Sequence, residues 1–344
     1  EEDSEKVEIA NYEIGAGCNG TTVYIGMKAD GTEVAIKRMV KSCNKELQNE
    51  MSLLRAPELE SCYIVKYVDF VEDEAFYYLA LQLCEYTLEE YMEHIQQKEE
   101  EDKWKALRKV AKEVLLGLKV LHDNGVLHRD IKPQNVLIEN TRLADFGFSR
   151  RLNSASTRIT RRAGTQGWEA AEILDDENEN EGNVEYKKSS DMQVSICIFP
   201  DSKNDLARIR CKPSRCSGPV SFCTVGQYRY RFGSLTWAKS QRFLCSYGPN
   251  PAHVRSLISH LDQFRTGGVQ LWPRSVSPPA WHHPFGKGRR IEQNIIDGKA
   301  ELHQIILQDV EAKDLIEEMI HKDPKKRLTI GEAIDHPYFW DDAR

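Results

Sequence analysis

The chain has 344 residues, 40% apolar and 29% charged, a balance that supports a large buried core and argues against disorder as the default. It has no apolar run of 18 residues to span a bilayer, and its opening EEDSEKVEIA lacks the basic and apolar regions of a secretory leader. Its nine cysteines, odd in number and without a CxxC pair, point away from a disulfide framework or zinc site and toward a reducing, cytoplasmic setting.

Residues 9–37 read as short alternating strands around a glycine-rich turn, IANYEIGAGCNGTTVYIG followed by TEVAIKRMV, as in an antiparallel sheet. NKELQNEMSLLR (44–55) has helical spacing, with Leu47, Met51 and Leu54 on one face, and two β-runs follow at 64–71 and 76–83. From TLEEYMEHI through WKALRKVAKEVLLGLKVLHDNG the pattern is two helices, the second closed by Gly125. A helical lobe therefore starts near residue 86, after a hinge at 82–86. Helical spacing returns over 291–339, in DVEAKDLIEEMIHKDP and LTIGEAIDHPYF.

Three motifs carry chemistry. Gly15-x-Gly17-x-x-Gly20 with Val23 lies between two expected strands; alone, it fits a plain hairpin equally well. Val34-Ala35-Ile36-Lys37 on the next strand changes that reading, because glycines let backbone amides approach phosphates while a lysine supplies charge to them. A buried strand lysine needs a carboxylate partner, and Glu50 is better placed for it than Glu46, one turn earlier. The third motif is His128-Arg129-Asp130-Ile131-Lys132-Pro133-Gln134-Asn135, with Asp145-Phe146-Gly147 ten residues later. Phosphoryl transfer needs a carboxylate at the hydroxyl proton, metal ligands, and a cation on the moving group; Asp130, then Asn135 with Asp145, and Lys132 match those needs.

Over 9–194 and 282–340 these residues resemble the eukaryotic protein kinase family. The resemblance implies a bilobal α+β fold, with a small antiparallel β lobe (1–84) and a larger helical lobe (85–194 and 282–344). It also implies ATP and Mg2+ as cofactors. Lys132, two places after Asp130, is similar to the serine/threonine type of loop. Leu81 would be the gatekeeper at the back of the nucleotide cleft. The backbone of Gln82 and Cys84 would hold adenine, beside Gly15, Gly17, Gly20, Val23, Ala35 and Lys37. ADFGFSRRL, GTQGW, YKKSSDMQV, HHPFGKGRRIEQNI and HPYFW are similar to the inositol-requiring kinase/endoribonuclease family of the unfolded-protein response. The ribonuclease domain of that family starts just after the position where this chain ends, so no ribonuclease is expected here.

The same resemblance implies a homodimer that phosphorylates itself in trans, or another protein on Ser or Thr, at the cytosolic face of the endoplasmic reticulum. Ser149, Ser154, Ser156, Thr157 and Thr160 lie among five arginines, and a phosphate there could pair with Arg129; a solvated basic loop is the plainer alternative. Ala171 stands where the family has proline, while Glu172 is retained with Arg327 as its expected partner. The chain starts at Glu1 and stops at Arg344 without a tail, and is expected to be a piece of a longer protein.

Residues 195–281 break this pattern. They carry 12 Lys and Arg against three Asp and no Glu, a local charge of +9 in a chain of −7. In the family the Asp of SSDMQV, here Asp191, opens a long apolar helix. Here Pro200 stops the pattern within two turns, and no sustained period follows until His282. The segment reads as aberrant sequence replacing part of that helix, with a basic functional insert and a disordered regulatory loop as alternatives. No nucleic-acid site is expected in the chain. The leading function is a serine/threonine protein kinase; the rival is a catalytically impaired nucleotide-binding scaffold acting by dimerisation.

Overall fold

The first lobe is organised by alternation. Strands β1 (Val7–Ala16), β2 (Thr22–Lys28), β3 (Glu33–Val40), β4 (Tyr67–Glu72) and β5 (Phe76–Gln82) form one sheet in the order β1-β2-β3-β5-β4, every neighbouring pair antiparallel. Successive side chains of a strand point to opposite faces. On β3, Val34 and Ile36 pack with Ala80 on one face, while Met39 joins Leu79, Leu81 and helix α1 (Asn44–Leu54) on the other. Leu47, Met51 and Leu53 seat α1 on that face. The structure, a computed structural model, describes residues 7–17, 20–95, 98–152, 157–175, 183–198, 283–286, 288–300 and 309–340.

After β5 the chain turns through β6 (Tyr86–Thr87) into α2 (Leu88–Ile95) and the long α3 (Glu100–Asp123). Gly125, at φ 66°, follows the cap residue Asn124 and gives the left-handed step that ends α3 as its sequence position implied. Two short pairings then fix the loops that carry the motifs. β8 (Val136–Ile138) lies between β6 and β9 (Arg142–Leu143), and β7 (Val126–Leu127) pairs with β10 (Arg150–Arg151). One apolar cluster runs from Met39 and Leu79 in the sheet lobe through Ile64, Leu143 and Phe146 to Leu115, Leu118 and Leu315 in the helical lobe. The two-lobed α+β arrangement expected from the sequence is the one observed.

Strand β11 (Thr157–Arg161) pairs antiparallel with β12 (Asn183–Lys187), flanking the short α4 (Ala171–Leu174). Helix α5 (Lys188–Val194) carries Asp191 and passes into a 3-10 turn, Ser195–Ile198. From 199 to 282 the segment assigned above to 195–281 lies outside the described residues. The helical pattern resumes with α6 (Arg290–Asp297), α7 (Val310–Met319) and α8 (Ile330–Ile334), the last opened by a Thr329–Glu332 capping box. Among the described residues no helix is long and apolar enough to cross a membrane.

Candidate active site

The glycine turn and the lysine strand are brought together by register. Gly15 pairs with Val23 and Val23 with Lys37, so the glycine motif and the lysine motif fall in one row across β1, β2 and β3. Gly20 holds φ 76°, a conformation that a residue with a Cβ adopts only with strain. Gln82 donates its backbone N–H to Lys66 O at 2.9 Å, and Leu81, 8% exposed, faces the core. Cys84 is half-buried, and burial pushes its thiol up to about 11, so it behaves as a small apolar side chain rather than a nucleophile.

Lys37 Nζ lies 2.8 Å from Glu50 Oε2 and 2.8 Å from Asp145 Oδ1. Burial works against the ammonium, yet the Asp145 and Glu50 carboxylates outweigh it and raise the lysine above its ordinary value. Asp145 is held at about 2: burial opposes its charge, and the Lys37 ammonium beside it more than compensates. Glu50, 1% exposed, is raised by burial against the pull of Lys37 and also accepts the Phe146 N–H at 3.3 Å. Lys37 is thus a fixed cation at the meeting of the sheet lobe, α1 and the Asp145 loop, and Glu46 is not its partner.

Asp130 is fully buried and takes hydrogen bonds on both oxygens. Thr165 Oγ1 donates to Oδ1 at 2.6 Å, while Lys132 Nζ and Asn135 Nδ2 each lie 2.8 Å from Oδ2. Lys132 also reaches Thr165 Oγ1 at 2.6 Å. Thr165 was not singled out from the sequence; it lies in GTQGW, where nothing in the spacing marks a hydroxyl as a partner of Asp130. Gly164 before it has φ 127°, and a Cβ there would come within 2.9 Å of Arg129 O, so this approach to the Asp130 loop requires glycine.

The loop is anchored from beneath. Asp191, 3% exposed, accepts from the N–H groups of His128 (2.8 Å) and Arg129 (2.9 Å) and pairs with His122 Nε2 at 3.0 Å. Burial opposes the Asp191 charge, but these donors hold its carboxyl below the usual range. Burial keeps His128 neutral; its Nδ1 accepts from Asp130 N, which leaves the proton on Nε2 to donate to Ala144 O at 3.1 Å. Arg129 and Asp145 are the non-glycine residues at positive φ among those described, 69° and 65°. Strain of this kind costs about 1–3 kcal/mol at each position and persists where neighbours over-determine it. Here Asp191 and Lys37 supply that constraint.

Of the arginines that follow Gly147, the side chains of Arg150, Arg151 and Arg162 have partners, Arg161 is exposed, and the side chain of Arg158 lies outside the described residues. Arg129 stacks over the Tyr186 ring at 4.2 Å and donates to Arg161 O at 3.4 Å. Arg150 donates to Ser149 O, Arg151 pairs with Glu58, and Arg162 grips Glu169 with two bonds of 2.6 and 2.8 Å. Ser149 is fully buried and donates to His128 O, so in this conformation its hydroxyl is not presented as a phosphate acceptor. Thr157 and Thr160 lie on β11, and Ser154 and Ser156 lie outside the described residues. The expected pair of Glu172 and Arg327 is present, bidentate at 2.7 and 2.9 Å, with the Arg327 side chain fully enclosed.

The donors suit a hard divalent cation. Asn135 gives its amide hydrogens to Asp130, at the backbone O and Oδ2, so the atom it can offer a cation is its oxygen. The Asp145 side chain, 38% exposed, has Lys37 on Oδ1. Among the described residues no cluster of three His, Cys, Asp or Glu side chains is disposed to hold a metal. One carboxylate and one amide oxygen fit a cation that completes its shell from phosphates and water.

A family model described as protein kinase domain matches residues 9–199. The chain is 29% identical over 342 residues to the serine/threonine-protein kinase/endoribonuclease ire-1 of Caenorhabditis elegans, covering 95% of this chain and 26% of that protein. It is 33% identical over 357 residues to the serine/threonine-protein kinase/endoribonuclease IRE1 of Oryza sativa subsp. japonica, covering 97% and 30%. To the sensor for unfolded proteins in the ER ire1 of Schizosaccharomyces pombe it is 28% identical over 350 residues, covering 96% and 26%. It thus spans about 26 to 30% of the length of these relatives.

Proposed function

The chain belongs to the protein kinase domain family, and from that premise we propose that it transfers the γ-phosphoryl group of ATP to serine or threonine hydroxyls of proteins. The carrying observation is that Asp130 receives Lys132, Asn135 and Thr165 on its two oxygens while Asp145 is tied to Lys37. Asp130 accepts the proton of the attacking hydroxyl. Lys132, within 2.8 Å of it, offsets charge on the group in transit. Lys37, kept charged and oriented by Glu50, meets the phosphates of the nucleotide. Gly15, Gly17, Gly20, Val23 and Ala35 cover the nucleotide, and the backbone at Gln82 and Cys84 receives adenine. Asn135 and Asp145 would hold Mg2+, which supplies charge neutralisation at the phosphate oxygens when bound.

The relatives' names support a setting in the unfolded-protein response. We place the chain there as a kinase that acts on a second copy of itself, in a homodimer at the cytosolic face of the endoplasmic reticulum. With Ser149 buried, Thr157 and Thr160 on β11, or Ser154 and Ser156, are the candidate acceptors. The central helix α5 ends at Val194, and this observation favours the second reading, a scaffold that binds nucleotide and dimerises with impaired turnover. Incubation of the chain with γ-labelled ATP and Mg2+ separates the two. Label on Ser or Thr, at an initial rate rising with the square of protein concentration, supports the kinase acting in trans. Nucleotide binding without label supports the scaffold.

A further inference from the structure

Asn49 stands one residue before Glu50 on α1, half-buried, with its amide turned toward backbone carbonyls. Its Nδ2 lies 2.7 Å from Phe146 O, 2.8 Å from Ser149 O and 3.3 Å from Gly147 O. Two hydrogens serve the two short bonds, and the third carbonyl shares them. Turning the amide over would set its oxygen against three carbonyl oxygens, so the neighbours fix its orientation. Glu50 accepts the N–H of Phe146 at 3.3 Å while Asn49 donates to the C=O of the same residue. Adjacent residues of one helix therefore hold both polar groups of a single peptide position. That position follows Asp145, whose backbone is strained at φ 65° and needs an external hold.

We propose that Asn49 is a positioning residue for phosphoryl transfer, clamping the Phe146–Ser149 backbone to α1 so that Asp145 keeps its place beside Lys37. The inference rests on the kinase reading above for its catalytic consequence, but the clamp has a readout of its own. α1 carries both Glu50 and Asn49, so any movement of this helix away from the sheet releases Lys37 and the Asp145 segment together. The residue acts through backbone and touches no reacting atom. Its donor is what matters: aspartate has the same shape but meets the three carbonyls with oxygen alone.

The test is amide hydrogen exchange of residues 146–151 in the full chain, wild type against Asn49→Ala, Asn49→Asp and Asn49→Ser, with α3 as the internal control for folding. Loss of two hydrogen bonds should speed exchange of this segment roughly ten-fold or more in Ala and Asp, with α3 unchanged. Serine, which keeps one donor, should be intermediate. Equal exchange in all four proteins, or an Asp variant as protected as wild type, overturns the clamp. Turnover is then compared in the same proteins. Asn49→Ala should lower kcat roughly ten-fold with Mg2+-free ADP affinity within about two-fold of wild type. A parallel loss of ADP affinity would mean a general structural role and overturn positioning. Absence of turnover in wild type sinks the kinase reading instead and leaves exchange to decide the clamp.

Discussion

The backbone N–H of Ala171, the first residue of α4, donates to Oε1 of Gln193 on α5 at 2.8 Å. Gln193 is 1% exposed, so its oxygen depends on this donor. The family resemblance has proline at 171, and proline has no N–H to give. The departure from the family motif is therefore matched by a hydrogen bond that only a non-proline residue supplies.

Ala171→Pro should accordingly destabilise the chain by about 1–3 kcal/mol, although proline is favoured at a first helical position on intrinsic grounds. Urea unfolding of the two proteins checks this. An unchanged or raised midpoint would show that the bond contributes nothing.

Removing the charge of Lys37 leaves Glu50 enclosed without its partner. Lys37→Met should cost about 3–5 kcal/mol at neutral pH, and the double change Lys37→Met with Glu50→Gln should recover much of that. Burial alone raises a carboxyl group, so the single variant's penalty should shrink as pH falls and Glu50 takes up a proton. Denaturation at pH 8 and pH 5, roughly one unit or more either side of neutrality, reads both effects. A penalty independent of pH would contradict the assignment.

Tyr186 both donates to Ala163 O (2.8 Å) and accepts from Ala163 N (3.0 Å) while its ring covers Arg129. Tyr186→Phe keeps the ring contact and removes the hydroxyl bonds, at a cost of about 1–2 kcal/mol. Tyr186→Ala should lose more, through the cation–π contact and a cavity. Tryptic cleavage after Arg161 and Arg162 should accelerate in the order wild type, Phe, Ala. Equal rates would separate Tyr186 from the order of this segment.

His283 packs on Trp168 at 4.2 Å between ring centroids, and burial pushes it down to about 4. A histidine lowered in the folded state leaves the unfolded chain binding more protons between pH 4 and 6.5, so its contribution is complete above 6.5 and is lost as pH falls toward 4. The full shift corresponds to roughly 3 kcal/mol. His283→Phe should flatten the stability profile across this window; an unchanged slope would place the titration elsewhere.

Much of the sheet lobe was legible because strand alternation, the glycine turn and Lys37 are local signals, and α1 puts Glu50 opposite Lys37 by simple helical spacing. The pair of Glu172 and Arg327 followed from motif resemblance across more than 150 residues of chain, 155 by separation. Thr165, Tyr186 and Asn49 were not legible. Each acts on groups 23 to 100 positions away through loop approaches and strand pairings that no period encodes. Burial of Ser149 was likewise hidden, since a serine among arginines reads as exposed until the β7–β10 pairing folds it inward. The early end of α5 was visible in Pro200.

The central claim rests on Asp130, and the most direct measurement is transfer of label from γ-labelled ATP and Mg2+ by the full chain compared with Asp130→Asn. The asparagine keeps the size of the side chain and removes the proton acceptor. The account predicts transfer by the wild type and a fall of about 100-fold or more in the variant, with ADP binding preserved. Equal transfer by the two proteins would contradict it.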